Sequence, residues 1–266
     1  MPTPAELLAI CDLAAQAGAE QLLAWRNRFR AREKASRDFV TDADLASEKA
    51  IRQVISHHYS DHAILGEESA AKSAPAAELL AEPFCWVIDP LDGTTNYLHQ
   101  FPLFAVSVGL VADGELQAGV IIDPLLNEKF AASRGEGATL NGEPIRVSEA
   151  KNVEKSLVAV SFPPQLSRDS PDLKSFLDVA TRCRAVRRTG SAALNLSYVA
   201  CGRLDAHWAH QIHPWDAAAG ALLVKEAGGT VTASRGGEFD LAEASYFTAA
   251  TSELHRSLLS LTTSGY

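Results

Sequence analysis

The sequence has few of the residues that build disulfide frameworks or zinc sites. Its four cysteines are scattered and lack the C-x-x-C spacing that marks many metal and redox sites. They are Cys11, Cys85, Cys183 and Cys201. We therefore expect reduced thiols in a cytoplasmic protein. The first residues lack the basic segment of a signal peptide, and no apolar run approaches the ~20 residues of a membrane span, so no membrane partner is predicted.

The chain also has fewer basic than acidic residues. The chain has 24 lysines and arginines against 33 aspartates and glutamates, for a net charge of -9. This balance does not favour direct binding to nucleic acid or to an anionic membrane. An acidic protein still binds a small anionic substrate where bound cations invert the local field.

Apolar patterning changes near the middle of the chain. The first half predicts a helix over 4–32 and a second that begins at Thr41 or Asp42, and strands then dominate. In the second half strands and helices alternate. We predict strands at 84–89, 103–112, 115–123, 128–133, 157–161 and 206–209, and helices at 170–182, 191–200 and 214–227. The fold class is therefore α/β, with an α+β lobe at 1–150 and an α/β lobe at 151–266.

The most informative segment is Trp86–Asn96. A buried strand is predicted to end in Asp89 and Asp92, and buried carboxylates are costly unless a cation lies between them. The following Gly93-Thr94-Thr95 is typical of a helix start, whose free N–H groups and positive dipole favour phosphate. Metal-binding carboxylates beside an anion-binding turn indicate phosphate chemistry.

Carboxylates also lie at strand ends or helix starts in three other segments. These carry Asp42 and Asp44, Glu67 and Glu68, and Asp216. Oxygen-rich ligand sets without Cys or His suit Mg²⁺ or Mn²⁺ rather than zinc.

These segments together resemble the motifs of the inositol monophosphatase family. The stretch Trp86–Asn96 resembles its first signature, and 215–220 resembles its second. Upstream, 66–69 and 38–44 are similar to its other metal and N-terminal motifs, in the family's order. The resemblance implies a layered α/β/α/β/α sandwich and a Mg²⁺-dependent, Li⁺-sensitive phosphomonoesterase, commonly a homodimer.

The resemblance also implies a set of metal ligands. Glu67, Asp89 and the carbonyl of Leu91 would hold one Mg²⁺. A second would be held by Asp89, Asp92 and Asp216. Glu67 would help to hold a third ion in three-metal descriptions, so two to three Mg²⁺ ions are expected, or Mn²⁺ in their place.

The catalytic roles implied by the resemblance fall on Glu67, Thr94 and Asp44. Asp44 would hydrogen-bond Thr94, and this pair with Glu67 would orient and activate a water for in-line attack, without a covalent intermediate. The implied substrate-binding residues are Asp92, Gly93, Thr94, Thr95, Gly190, Ser191, Ala192 and Asp216. We find no nucleophilic serine motif of the G-x-S-x-G type.

Several of these residues also have simpler interpretations. Asp42 reads as a helix cap, and Glu68 is as well explained by a solvated carboxylate as by a metal-site role. Lys34 matches a family lysine near the active site, although we interpret it as an exposed helix-end lysine. His207, His210 and His213 imitate zinc-ligand spacing, but neighbours three apart point to opposite faces of a strand.

The substrate is less well specified than the chemistry. The inositol-specific branch has a glutamate seven residues before the second-signature aspartate, where this chain has Ala209. We expect a small polyol or sugar phosphate resembling inositol 1-phosphate, with His210 as a candidate replacement. Histidinol phosphate, fructose 1,6-bisphosphate and a nucleotide 3'-phosphate are the alternatives. A non-enzymatic alternative is that the chain is a binding protein. One bacterial branch of the family joins RNA-polymerase and ribosomal RNA transcription assemblies, and the resemblance implies the same role as an alternative here.

Overall fold

The computed structural model describes residues 2–35, 38–70, 73–163, 166–243 and 245–263. The helices are α1 (Pro4–Trp25), α2 (Asp42–His58), α3 (Ala76–Leu80), α4 (Thr94–Leu98), α5 (Pro171–Ala180), α6 (Ala192–Ala200), α7 (Pro214–Glu226) and α8 (Ser252–Thr263). The strands are β1 (Ala31–Ala35), β2 (Asp38–Thr41), β3 (Ala63–Gly66), β4 (Phe84–Asp92), β5 (Ala105–Ala112), β6 (Glu115–Asp123), β7 (Glu128–Ser133), β8 (Gly137–Leu140), β9 (Glu143–Pro144), β10 (Leu157–Ser161), β11 (Ala185–Arg187), β12 (Ala206–Ala209), β13 (Thr230–Thr232) and β14 (Tyr246–Ala249).

The strands form two large sheets and one small hairpin. The first sheet runs β3-β4-β5-β6-β7-β8-β9 and is antiparallel apart from the parallel pair β3–β4. The second sheet runs β11-β10-β12-β14-β13, with parallel pairs on both sides of β10. The hairpin is β1–β2.

Helices cover both sheets on both faces, which gives five layers. Helices α1 and α2 pack on one face of the first sheet, through apolar residues such as Leu22 and Ile51. Helices α6 and α7 fill the space between the two sheets, where Leu196 and Leu223 join one buried cluster. Helices α5 and α8 cover the outer face of the second sheet. The predicted α/β class and α/β/α/β/α layering are confirmed.

The first sheet has two glycines where α7 crosses it. A Cβ at Gly119 would lie 2.8 Å from the Cα of Ala219, and one at Gly109 would lie 3.0 Å from the Cβ of Ala218. The helix therefore packs almost backbone to backbone on β5 and β6. This contact positions the start of α7 relative to the end of β4.

The predicted helix over 4–32 is too long, because α1 ends at Trp25. The N–H of Arg28 turns back onto the carbonyl of Trp25 at 2.9 Å, and the chain then enters β1. The 4–32 prediction placed Arg26, Arg28, Arg30 and Arg32 at the helix end. They recur at every second position, which is the period of a strand, and Arg32 lies in β1.

Asp42 lies in the first turn of α2, but it is not the cap. Thr41 caps the helix and accepts from the N–H of Ala43 at 3.1 Å. Asp42 instead accepts from the N–H of Arg30 and pairs with Arg32 at 3.2 Å. It therefore fastens the β1–β2 hairpin to the helix.

Helix α1 is long and apolar enough to cross a membrane by length and composition, contrary to our expectation that no segment would be. In the fold, 44% of its apolar window is buried inside the protein. Its residues Leu7, Ile10 and Leu22 lie in the core against the first sheet. This burial is the behaviour of a core helix.

His207 lies at the centre of the second sheet and is fully buried. Its Nε2 lies 3.1 Å from the Oγ of Ser161 and 3.3 Å from the Nδ2 of Asn195, and its Nδ1 lies 3.1 Å from the hydroxyl of Tyr246. Because an amide N–H points at Nε2, that nitrogen is the acceptor and the ring is neutral. Burial lowers the pKa of His207 to about 3.

We predict that His207 makes the fold sensitive to acid. The unfolded chain protonates this imidazole near pH 6.5 and the folded chain only near pH 3, so its contribution to stability is present above pH 6.5 and is lost as the pH falls. Between these values the loss is at most about 1.4 kcal/mol per pH unit. Urea unfolding at pH 7.5 and 5.0 should show a smaller pH dependence in His207→Gln than in the unsubstituted protein. If the free energy of unfolding changed equally between the two pH values in both proteins, a neutral buried imidazole would be contradicted.

Candidate metal and phosphate site

The site begins at the end of β4. Pairing with β5 shifts between Asp89, opposite Ser107, and Asp92, opposite Ala105. The extra residue makes a bulge, and a bulge redirects side chains at the end of a strand. Asp89 and Asp92 are only 1% and 6% exposed, and Asp89 accepts from the N–H of Leu91 at 3.0 Å.

A third carboxylate comes from the start of α7. Asp216 is the third residue of this helix and accepts from the N–H of His213 at 2.7 Å. Oxygens of Asp89, Asp92 and Asp216 all lie within 4.8 Å of one another. In the described part of the chain, this is the one such group of three or more metal-ligand residues.

The three carboxylates repel one another in a buried space. Burial, followed by the charges of Glu67, Asp92 and Asp216, holds the pKa of Asp89 well above its usual range. Burial and the charge of Asp92 likewise raise the pKa of Asp216. A divalent cation among these oxygens would replace repulsion with attraction, and an all-oxygen set of this kind fits Mg²⁺ or Mn²⁺.

Asp92 is held by the first turn of α6. It accepts from the N–H groups of Ala192 at 3.2 Å and Ala193 at 2.8 Å, and from the hydroxyl of Ser191. Burial nevertheless raises its pKa. The segment 190–192, which we predicted to bind the substrate, thus also fixes the carboxylate of Asp92.

Asp44 and Thr94 meet as the resemblance implied. The hydroxyl of Thr94 lies 3.3 Å from Oδ1 of Asp44 and 3.2 Å from the carbonyl oxygen of Leu91. Asp44 is fully buried at the start of α2, where its other oxygen accepts from the N–H and hydroxyl of Thr41. Burial raises the pKa of Asp44 to about 6.

Gly93 lies between Asp92 and Thr94 with a φ of 98°, in the left-handed region. Thr94 and Thr95 then open α4, whose first backbone hydrogen bond runs from the N–H of Tyr97 to the carbonyl of Gly93 at 3.0 Å. The N–H groups of a first helical turn are not used by the helix itself.

Glu67 follows β3 and pairs with Lys34, whose Nζ lies 3.0 Å from Glu67 and 2.6 Å from Glu68. Lys34 is exposed as we expected, but it belongs to the strand β1 and not to a helix end. Glu68 is not simply solvated either. Burial, with the charge of Glu67, raises its pKa to about 7.

A cavity of about 430 Å³ opens over these groups. The predicted site residues that line it are Glu67, Asp92, Gly190, Ala192 and Asp216. Asp89 and Ser191 are buried and do not line the cavity, but both lie next to Asp92. An oxygen of Asp89 is within 4.8 Å of one of Asp92, and the hydroxyl of Ser191 donates to Asp92. A larger cavity of about 770 Å³ lies beside α3 and the end of α7, but none of the predicted site residues lines it.

The remaining walls of the cavity over the carboxylates come from residues that we had not placed in the site. They include Phe162, Arg188, Gln211, Ile212, His213 and Trp215. The sequence signal for Arg188 is its cluster with Arg182, Arg184 and Arg187, which is compatible with a rim for an anionic substrate but more often forms a solvated or interface surface. Trp215 lies in the first turn of α7, and the others lie in loops whose approach depends on the packing of the second sheet.

The three histidines do not form a shared site. His207 is bonded in the core, His210 lines a different cavity beside Asp172, and His213 stacks on Trp215 with centroids 4.6 Å apart. Ala209 is fully buried in the cluster between the sheets. His210 therefore does not occupy the place of the glutamate that is usual at position 209.

Comparison with known proteins gives consistent matches. The model of the inositol monophosphatase family matches residues 4–264. The Nus factor SuhB of Pseudomonas aeruginosa is 44% identical over 205 residues, which cover 75% of this chain and 74% of that protein. The inositol-1-monophosphatase of Synechocystis is 40% identical over 240 residues, covering 87% and 81%. The crystal structure of the extragenic suppressor protein suhB from Bartonella henselae aligns with a TM-score of 0.88 and 33% identity, covering 98% and 99%.

We predict that divalent cations stabilise the fold through the carboxylate group. Mg²⁺ or Mn²⁺ at ~100 times its dissociation constant adds about 2.7 kcal/mol to the free energy of unfolding. In a chain of this size that raises Tm by several degrees. Thermal unfolding should show this rise, and Asp216→Asn should reduce it. NaCl at matched ionic strength is the control, and an equal rise with NaCl would contradict a specific site.

Proposed function

Because the chain belongs to the inositol monophosphatase family, we propose that it is a Mg²⁺-dependent phosphomonoesterase acting on a small polyol or sugar phosphate. The observation that carries the proposal is the group of three carboxylates within 4.8 Å of one another beneath a cavity of about 430 Å³. Such a group has no evident structural purpose, since its members repel one another. It suits the binding of cations together with a phosphate.

The ligand assignment follows the family. Glu67, Asp89 and the carbonyl of Leu91 would hold one Mg²⁺, and Asp89, Asp92 and Asp216 a second, with Mn²⁺ as a substitute. Bound divalent ions supply charge neutralisation for the phosphate and acidify water for attack. Oxygens of Asp89 lie within 4.8 Å of oxygens of Asp92 and Asp216, which supports its place in the second set. The charge of Glu67 also raises the pKa of Asp89, which is consistent with its place in the first set.

Thr94 and Asp44 would position the attacking water. When Asp44 accepts the hydroxyl proton of Thr94, the Thr94 oxygen keeps its lone pairs free to accept a hydrogen bond from water. Glu67 lies on the wall of the cavity of about 430 Å³, which Thr94 and Asp44 do not line, and would orient the water from the other side. Gly93, Thr94 and Thr95 would present their N–H groups to the phosphate.

The cavity supports a small substrate. Its volume lies at the lower end of ordinary ligand pockets. Gln211 and Arg188 line it and would bind the hydroxyls or a second anionic group, while Ala209 offers no such contact from the core. An inositol-1-phosphate-like substrate is our first choice, and histidinol phosphate, fructose 1,6-bisphosphate and a nucleotide 3'-phosphate are the alternatives.

The lobes at 1–150 and 151–266 would each supply part of the site. Glu67, Asp89 and Asp92 lie in the first, and Asp216 lies in the second. We further propose a cytoplasmic homodimer that Li⁺ inhibits, as the family resemblance implies.

A second candidate function is binding within a transcription assembly that contains RNA polymerase. It rests on the 44% identity to a protein named as a Nus factor. Direct contact with nucleic acid is not favoured by the net charge of -9.

The enzymatic proposal is tested by phosphate release from a panel of the four substrate classes with Mg²⁺. We expect turnover that requires Mg²⁺ and falls with Li⁺. Asp89→Asn should lower kcat/KM by about 10²-fold or more, because it removes a shared ligand and leaves a neutral side chain of equal size. Asp12→Asn, whose carboxylate pairs with Lys129 on the surface, is the matched control and should keep full activity. No phosphate release from any substrate would refute the proposal.

The same variant separates the two functions. We expect Asp89→Asn to retain any binding to purified RNA polymerase while it loses hydrolysis, because the surface is unaltered. Co-sedimentation of the unsubstituted protein and of the Asp89→Asn variant with the polymerase measures this directly. Absence of binding by the unsubstituted protein would remove the second candidate.

A further inference from the structure

The segment that carries Glu67 is held by helix α2. It runs from Gly66, the last residue of β3, through Glu67 and Glu68 to Ser69. Beyond the β3–β4 pairing, its backbone is joined to the first sheet by a long bond, from the N–H of Glu67 to the carbonyl of Ile88 at 3.4 Å. Shorter contacts come from α2.

Glu48 makes the central contact. Its Oε2 accepts from the N–H of Glu68 at 2.8 Å, and the side chain is nearly fully buried. The approach is so close that a Cβ at Gly66 would lie 3.0 Å from Oε2 of Glu48. The absence of a side chain at Gly66 therefore leaves room for this carboxylate.

Arg52 completes the clamp from the next turn of α2. Its Nε donates to Oε1 of Glu48 at 2.9 Å, and its guanidinium also reaches the hydroxyl of Ser69 and, at 3.4 Å, the carbonyl of Ile64. The arginine thus fixes the rotamer of Glu48 and contacts Ser69 at the end of the segment and Ile64 in β3 just before it.

The same face of α2 touches the other half of the site. Residues 44, 48 and 52 are spaced by one helical turn, so they share a face, and Ser47 lies beside them. Asp44 accepts from Thr94, and Ser47 donates to the carbonyl of Pro90 at 2.8 Å. One helix therefore contacts both the Glu67 segment and the Asp89–Thr94 segment.

We propose that Glu48 is a positioning residue for metal binding. Its carboxylate, oriented by Arg52, holds the backbone at Glu68 so that the Glu67 side chain faces Asp89. Helix α2 then sets the spacing between Glu67 and the aspartates. The inference rests on the proposed function in that it takes Glu67 as a metal ligand.

Direct Mn²⁺ binding, followed by electron paramagnetic resonance, tests the proposal without any substrate. Glu48→Ala should weaken Mn²⁺ binding by about 10- to 100-fold, the usual range for groups that orient metal ligands. Glu48→Gln keeps an oxygen that can accept from the N–H of Glu68, so its affinity should stay within a few fold of the unsubstituted protein. Gly66→Ala should weaken binding without removing any polar group.

The matched control is Asp205→Ala. Asp205 also accepts a backbone N–H, that of Leu157 at 2.7 Å, but it does so in the second lobe and contacts none of the proposed ligands. Its loss should lower Tm and leave Mn²⁺ affinity unchanged.

The outcomes separate the possibilities. Unchanged affinity in both Glu48→Ala and Gly66→Ala would overturn the inference, and so would an equal loss in Asp205→Ala that follows Tm. If Glu48→Ala does not fold, Gly66→Ala and Glu48→Gln decide alone. Failure of the unsubstituted protein to release phosphate would overturn the proposed function, whereas the Mn²⁺ measurements would still stand.

Discussion

The mutual repulsion of Asp89, Asp92 and Asp216 limits how the strands and helices around them can pack. Three carboxylates within a few ångströms and largely out of water would separate if their backbones were free to move. Each is held by at least one backbone N–H, from Leu91, Ala193 and His213 respectively. These donors belong to different elements, so the whole packing of sheets and helices resists the repulsion.

The layered fold supplies that resistance. The bulge at the end of β4 brings two of the carboxylates to one edge of the first sheet, and the starts of α6 and α7 meet them from the layer between the sheets. On the opposite face, α2 holds Asp44 and the Glu67 segment. The site thus lies at the C-terminal end of β4 and at the N-terminal ends of α2, α6 and α7. No single element could form it.

The sequence was most informative where one local pattern decided the structure. Strands such as 115–123 and 157–161 were predicted with their observed bounds, because a short apolar run bounded by turn or polar residues defines each of them. The carboxylate segments were recognisable for a similar reason, since hydrophobic strands rarely end in paired acids. The predicted end of the first helix was wrong, because arginines at every second position are compatible both with a helix end and with an exposed strand.

Contacts between distant segments were harder to predict. Lys34 reaches Glu67 only because β1 turns back on β2, and nothing in the local pattern of either residue indicates this pairing. Glu48 and Arg52 have the i,i+4 spacing of an ordinary ion pair on a helix surface, although their further partners lie in β3 and in the Glu67 segment. The walls contributed by Phe162 and Gln211 depend on how the two sheets approach each other.

The close passage of α7 over Gly109 and Gly119 has a mechanical consequence. Where backbones touch, no side chain is available to adjust its rotamer and absorb a displacement. Any bulk added at either glycine would move the helix as a rigid rod and carry Asp216 with it. The placement of Asp216 in the candidate site therefore depends in part on two positions that have no functional group and lie in the middle of a sheet.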